Sequence, residues 1–402
     1  MPPSSISPAR RVAFDVLCRV EEGAYASDEL LTEAAHLTSR DAGLAGQIVF
    51  GSLRFQAQLD FLLEHYSKRA PGQLEPALRV ALRMGIFQLR YLDRIPPHAA
   101  VHEMVELVKQ GKRAAAGLTN AVLRKVDREP QRWPGKSIEL SCPRWLLRKW
   151  TARYGAAEAE GIARAALQEP EHYIRIAPGS PPPIEDGLKL EPSAVPGCYR
   201  VVEGAAHDLR RLGLRFQDIG SQAIVPLLQL ELGLSYLDLC AAPGNKTRQA
   251  LETPLRAVAC DWSEKRLRHV PDICPRVVLD ATKPLPFGSR FQRILVDAPC
   301  SGTGTLARNP EIKWRVQSKN LLLHQSRQRL ILQNALDHLT PGGLLLYATC
   351  SLEAEENEEV THWAVESSQH IRLIEETWRL PGRDPGDGFY GAVLRSERSG
   401  DI

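Results

Sequence analysis

The sequence predicts an α/β protein: a doubly wound parallel sheet in the C-terminal half, preceded by an all-helical domain and a small mixed segment. Three observations carry that prediction. At 402 residues the chain is longer than one ordinary core organises, so two or three domains are expected. From Pro8 to about Val126 apolar residues recur at helical spacing. After Gly213 the rhythm becomes strand, glycine-containing turn and helix, repeated, with short apolar runs that do not alternate. The expected divisions are 1–133, 134–205 and 206–402.

The helical elements follow in order. "RRVAFDVLCRVEEG" sets Val12, Val16, Leu17 and Val20 on one face and stops at Gly23. "LDFLLEHY", "ALRVALRMGIFQLRYL" and "HAAVHEMVELVKQGKR" come next, broken by "APGQLEP" and "RIPP". The prolines before His98 mark a helix start, and "LTNAVLRKV" is a last short helix. This domain ends in a basic cluster of Lys109, Lys112, Arg113, Arg124, Lys125 and Arg128, opposed by Asp127 alone. Such a cluster either meets phosphates or is a solvated helix face, and charge by itself does not choose. His98 and His102 stand four apart, but the following glutamate is misplaced for a zinc-protease pattern, so packing or surface positions are expected.

The middle segment is less defined. "PRWLLRKWTARYG" and "AAEAEGIARAALQE" read as paired helices, "PGSPPPIEDG" as a loop and "CYRVVEG" as a strand. No function follows from it.

In the C-terminal part "YLDLC", "RAVACD", "RVVLD", "RILVDA" and "GGLLLYATC" are the strands, with helices such as "NLLLHQSRQRLILQNALDHL" between them. In parallel sheets of this kind ligands sit at the carboxyl ends of the strands. The unusual residues collect there. "LDLCAAPGNKT" ends a strand and opens a helix, yet it lacks the glycines of either common nucleotide loop. What remains is a small-residue turn, Cys240, Ala241, Ala242, Pro243, Gly244, Asn245 and Lys246, able to offer backbone N–H groups to a bulky ligand. Lys246 would pair with a ligand carboxylate. Asp261 ends the next strand 17 residues after Gly244, where an acid grips ribose hydroxyls, and Asp280 ends the strand after that, placed for an adenine amino group. Together they suit S-adenosylmethionine. The alternative is that these aspartates merely cap turns and helices.

Two cysteines keep unusual company. Cys300 lies in "DAPCSGTGT" beside Asp297, and Cys350 in "YATCSL", each just past an apolar run. Most buried cysteines are small hydrophobes, and Cys18, Cys260 and Cys274 are read that way. No ligand spacing points to a metal. A thiolate near a helix N-terminus or a cationic cofactor is a competent nucleophile. Two thiols and a carboxylate beside a methyl donor point to cytosine C5, which is not nucleophilic until a thiolate adds at C6 and an acid near N3 steadies the adduct.

"LDLCAAPGNKT", "LVDAPCSGTGTLARNPEIKW", "YATCSLEAEENEEV" and "DGFYGAVLRS" together resemble the RNA 5-methylcytosine methyltransferases of the Sun/NSUN type. "RIPPHAAVHEMVELVK" and "LTNAVLRKV" resemble the NusB-like RNA-binding domain fused to that catalytic part in the bacterial RsmB (Fmu/Sun) branch. The resemblance spans nearly the whole chain and is weakest between about 134 and 205. It implies a Rossmann-like domain that methylates small-subunit ribosomal RNA from S-adenosylmethionine. Cys350 would attack C6, Cys300 would help release the adduct, and Asp297 would face the cytosine N3/N4 edge near the cofactor. Cys240 to Lys246, Asp261 and Asp280 would hold that cofactor. Two departures stand out: Asn245 where family members usually carry glycine, explained by asparagine's tolerance of left-handed backbone, and "RIAP" at Arg175 to Pro178.

Composition narrows the alternatives. The chain is 43% hydrophobic and 25% charged, with formal charge +3 and eight cysteines. "MPPSSISPARR" has no apolar core of a signal peptide, and no run has the length of a membrane span, so a cytoplasmic monomer with free thiols is expected. The expected partner is 16S ribosomal RNA, unassembled or partly assembled. The rivals are the same chemistry on transfer RNA and a non-catalytic RNA-binding assembly factor; a small-molecule methyltransferase would leave the helical domain without a role.

Overall fold

The computed structural model describes residues 6–126, 132–204, 209 and 211–397. The chain forms two compact units, and the expected boundary at 205/206 falls outside the described residues. The first unit comprises Met1–Glu169 and the later segment Leu306–Arg315. Its principal helices are Pro8–Glu21, Ala26–Glu33, Ser39–Arg54, Gln56–Ser67, Pro76–Tyr91, Pro97–Gly111 and Ala116–Leu123. Helices Arg144–Tyr154 and Ala156–Ala165 belong to the same unit. Proline opens three of these helices, at Pro8, Pro76 and Pro97, where its missing N–H costs nothing. Val12, Val16, Leu17 and Val20 all enter the core, as their spacing predicts.

Helix Ser39–Arg54 packs closely because of a glycine. A Cβ built on Gly51 would lie 1.9 Å from Cζ of Phe87, itself stacked on Phe55 and Tyr91. Gly51→Ala is therefore expected to lower stability by about 1–3 kcal/mol through overpacking, read as a fall in melting temperature. An unchanged melting temperature would show that the Phe87 ring has room to move.

Segment Leu306–Arg315 closes helix ends within this unit. Lys313 Nζ donates to the carbonyl of Arg54 at 2.7 Å, Trp314 Nε1 to that of Leu53 at 3.0 Å, and Arg315 to that of Val20 at 2.7 Å. Cationic donors there satisfy orphan carbonyls and the helix dipole together. Burial pushes the Lys313 ammonium down to about 7. In the basic cluster Lys109 pairs with Glu106, and Lys112 with Glu75. Arg124 bonds Asn120 at 3.1 Å, while Asp127 and Arg128 lie outside the described residues.

The second unit comprises Pro170–Thr305 and Val316–Ile402. Strands β1 (Tyr173–Arg175), β2 (Lys189–Pro192), β3 (Cys198–Glu203) and β4 (Arg215–Phe216) form an antiparallel sheet in the order β2-β3-β1-β4. The larger sheet holds β5 (Ser235–Asp238), β6 (Arg256–Asp261), β7 (Arg276–Val278), β8 (Phe291–Asp297), β9 (Leu339–Thr349), β10 (Ile371–Arg379) and β11 (Phe389–Ser396). Its order is β10-β11-β9-β8-β5-β6-β7, parallel from β7 to β9, with β11 antiparallel to β9 and β10 antiparallel to β11.

The apolar runs are explained by burial on both faces. Leu237, Ile294, Val296, Leu345 and Tyr347 enter one core, under helix Ser318–Asp337. Their neighbours Tyr236, Leu295, Leu344, Leu346 and Ala348 enter the other. Strand order reverses at β5, so the crevice opens where β5 and β8 end.

Candidate active site

Register brings the two suspected thiols together. Parallel pairing of β8 with β9 sets Asp297 beside Ala348, so the loops that follow leave the sheet side by side. Cys300 Sγ lies 3.4 Å from Cys350 Sγ across 50 residues of chain. All eight cysteines are free thiols. The Cys300 thiol is pushed up from its ordinary value, first by the Cys350 side chain sharing a proton and then by burial.

A carboxylate fastens both loops. Glu356, fully buried, accepts from the Ser301 amide at 2.7 Å and from the Ser301 and Ser351 hydroxyls, each at 2.5 Å. Ser301 follows Cys300 and Ser351 follows Cys350, so one side chain ties the neighbours of both thiols. Further bonds run between the loops: the Gly304 amide donates to the Cys350 carbonyl at 2.9 Å, and the Leu352 amide to Thr303 Oγ1 at 2.9 Å. Sequence reasoning did not single out Glu356, because a run such as "EAEENEE" looks like a solvated helix start.

Asp297 ends β8 and pairs with Lys246 Nζ at 2.6 Å. Burial works against the Lys246 charge, but Asp297 outweighs it and the ammonium is held above its usual range, with Cys350 and Asp238 adding to the pull. The ammonium also lies 5.1 Å from the centroid of the Phe389 ring. Asp238 is a second residue whose part was not evident from sequence. Burial pushes its carboxyl up to about 7, against a 2.7 Å bond from the Thr247 hydroxyl.

Asp297 and both thiols line a cleft of about 200 Å³. Cys240, Ala242, Asp261, Trp262, Asp280 and Arg327 contribute other walls. The rest of the expected cofactor turn is nearby but not in the wall. Ala241 donates its amide to the Cys260 carbonyl at 2.8 Å, Pro243 is exposed, and Gly244 takes the left-handed backbone at φ 101°. Asn245 differs from the expectation of a left-handed residue. It opens helix Asn245–Ala250 and sends its Nδ2 to the Phe216 carbonyl at 3.1 Å. The φ > 0 demand falls one position earlier, on Gly244, where a Cβ would also meet Val270 Cα at 2.8 Å.

The acids carry structural duties as well. Asp261 accepts from the amides of Ala242 at 3.1 Å and Ser263 at 2.9 Å, which fixes the turn against the end of β6. Asp280, exposed, accepts from the Thr282 hydroxyl and amide, and the hydroxyl bond first holds its carboxyl below the usual range. Carboxylate acceptors and two sulfurs lining one cleft fit a ligand that carries hydroxyl and amino groups as well as a reactive centre.

The 16S rRNA methyltransferase RsmB/F family model matches residues 225–395, and the NusB family model matches residues 7–128. The ribosomal RNA small subunit methyltransferase B of Salmonella arizonae is 31% identical over 93% of this chain and 95% of its own length. The chain belongs to the RsmB/F family. The Escherichia coli O9:H4 protein of the same name is 33% identical over 93% of this chain and 95% of its own. Two solved structures share the fold. PH0851 superposes with TM-score 0.82 at 22% identity, over 97% of this chain and 99% of that one. NSun6 from Pyrococcus horikoshii with SFG gives TM-score 0.56 at 20% identity, over 64% of this chain and 99% of that one. As an RsmB/F protein the chain is an S-adenosylmethionine-dependent rRNA methyltransferase, and its N-terminal helices are a NusB domain. No helix among the described residues is long and apolar enough to cross a membrane.

Proposed function

We propose that this RsmB/F enzyme methylates C5 of a cytosine in 16S ribosomal RNA through a covalent bond between Cys350 and C6. The observation that carries the reading is the 3.4 Å approach of Cys300 and Cys350 beside the Lys246–Asp297 pair. Cys240, Ala242, Asp261 and Asp280 would hold S-adenosylmethionine, with the backbone of Ala241, Pro243, Gly244 and Asn245 shaping the turn. When bound, that cofactor supplies an electrophilic methyl group.

The protein's own groups do the rest. Cys350, as thiolate, adds to C6, and the ring electrons shift toward C5 and N3. Asp297 sits at the N3/N4 edge, its charge balanced by the Lys246 ammonium. After C5 has taken the methyl group its remaining proton must leave. Cys300, its own proton released to solvent, accepts the C5 proton at Sγ as thiolate, the C–H electron pair restores the C5–C6 double bond, and Cys350 departs as thiolate. The timing follows from what raises the Cys300 pKa. Its first cause is the Cys350 side chain, and a Cys350 committed to a thioether no longer exerts it. Cys300 thus gives up its own proton more readily in the adduct than in the free enzyme and is present there as the thiolate that can take the C5 proton.

The target base must leave its stack to reach paired thiols, so single-stranded or partly assembled RNA is the substrate in this reading. The protein would act as a cytoplasmic monomer, with 1–133 binding RNA, 134–205 linking and 206–402 catalysing. Cys300→Ser is expected to trap the intermediate: incubated with S-adenosylmethionine and 16S transcript, it should yield a protein–RNA band that survives denaturing electrophoresis. Bisulfite sequencing of the transcript after reaction with the parent enzyme locates the methyl group. Unmarked 16S RNA alongside marked transfer RNA would move the reading to its nearest rival.

A further inference from the structure

A second cleft, of about 600 Å³, opens in the catalytic unit among Gly213, Leu214, Arg215, Phe216, Arg248 and His269. No acid lines it. Arg215, Arg248 and His269 are all exposed, and among the described residues none has an ion-pair or side-chain hydrogen-bond partner. That sets them apart from four other arginines of the same unit. Arg175 pairs with Glu252, Arg200 with Glu191, Arg268 with Glu264 and Arg276 with Asp272. The Arg248 guanidinium is pushed below its usual range by burial and then by Arg215. Two guanidiniums left facing one space, uncompensated, form a site whose missing component is an anion.

Its position favours one kind of anion. Phe216 brings an aromatic ring to the same cleft, edge-on to His172 with centroids 5.4 Å apart. Cations interleaved with an aromatic ring are how proteins track single-stranded nucleic acid, the cations following phosphates and the ring taking a base. The cleft is tied to the catalytic machinery by short chain paths. Arg248 stands two residues after Lys246 on helix Asn245–Ala250, so the two side chains leave opposite sides of it. Asn245 Nδ2 bonds the Phe216 carbonyl at 3.1 Å, which fastens β4 to the start of the same helix.

We propose that Arg215, Arg248 and His269 bind the phosphates of the RNA strand flanking the cytosine to be methylated, with Phe216 stacking on a flanking base. This rests on the rRNA methyltransferase reading above and adds the path of the substrate. Asn245 thereby acquires a role, since its side chain couples the RNA cleft to the turn bearing Lys246, which glycine cannot do.

The test uses the full-length protein, S-adenosylmethionine and 16S transcript. The double variant Arg215→Glu/Arg248→Glu should raise the KM for transcript by at least about tenfold, because two charge-assisted hydrogen bonds to phosphate disappear. Its cofactor affinity by calorimetry should match the parent's, which also certifies folding. The dependence of RNA affinity on salt should flatten by about 0.7 in log–log slope for each phosphate that is no longer neutralised. Arg372→Glu, remote in sequence on β10, serves as a charge-reversal control and should leave KM within about twofold. If Arg215→Glu/Arg248→Glu disturbs cofactor binding, the neutral pair Arg215→Gln/Arg248→Gln is measured instead and should show the same direction. Unchanged KM and salt slope in a variant that binds cofactor would overturn the proposal. Filter binding of transcript separates the two readings. If the parent binds RNA but transfers no methyl group, the functional reading fails, while the cleft is still judged by the variant's affinity.

Discussion

Cys350→Ala is expected to abolish methylation, lowering kcat by about 10⁴-fold or more, as removal of a covalent nucleophile does in other enzymes. The alanine protein should bind S-adenosylmethionine nearly as the parent does, since the carboxylates of Asp261 and Asp280 remain in place. In a Cys300→Ser background the same change should erase the trapped band, because no sulfur is left to hold C6. These paired readouts matter because two thiols 3.4 Å apart invite substitution of one by the other. If Cys350→Ala retains turnover within tenfold of the parent, Cys300 is the attacker. Cys300→Ala should then be the inactive protein. The asymmetry expected here is that Cys350 attacks while Cys300, whose thiol is pushed up from its ordinary value by the Cys350 side chain and by burial, assists release.

Strands β5, β6, β8 and β9 were legible because each carries a short apolar run that does not alternate, and such runs mark burial on two faces. β10 was not, because "IRLIEETWR" mixes charges into an edge strand and its burial is only partial. β11 was noticed as a motif and missed as a strand, since Gly391 interrupts a run that is nonetheless buried. The paired thiols were legible as strand-end oddities, and parallel register between β8 and β9 is what turns that position into contact. Glu356 was hidden for the opposite reason. Five acids near a helix start look solvated, and only the meeting of the two cysteine loops draws one of them inward. The grouping of Leu306–Arg315 with the helical unit was equally hidden, because a pattern of local periodicity says nothing about which core a segment joins.

Glu356→Gln is expected to reduce kcat by about 10²- to 10³-fold with cofactor affinity changed little. The carboxylate accepts from two hydroxyls, the Ser301 backbone amide and, at 3.4 Å, Gln328 Nε2, and needs no donor of its own. An amide of the same shape turns one acceptor into an NH₂ group, so either the Ser301 amide or the Ser301 and Ser351 hydroxyls lose their acceptor. Charge-assisted bonds of this kind contribute about 1.5–3 kcal/mol each, and a misplacement of about 1 Å in a reacting group costs about 10²-fold. The loops carrying Cys300 and Cys350 would then lose their common anchor, although the Gly304–Cys350 and Leu352–Thr303 bonds persist and should keep the unit folded. A positioning role is distinguished from a merely stabilising one by the intermediate. In the Cys300→Ser background, Glu356→Gln should slow the appearance of the trapped band by a factor like that on kcat, at temperatures well below melting. A protein with lowered melting temperature but parental trapping rate would show that Glu356 supports the fold and leaves the thiols where they were.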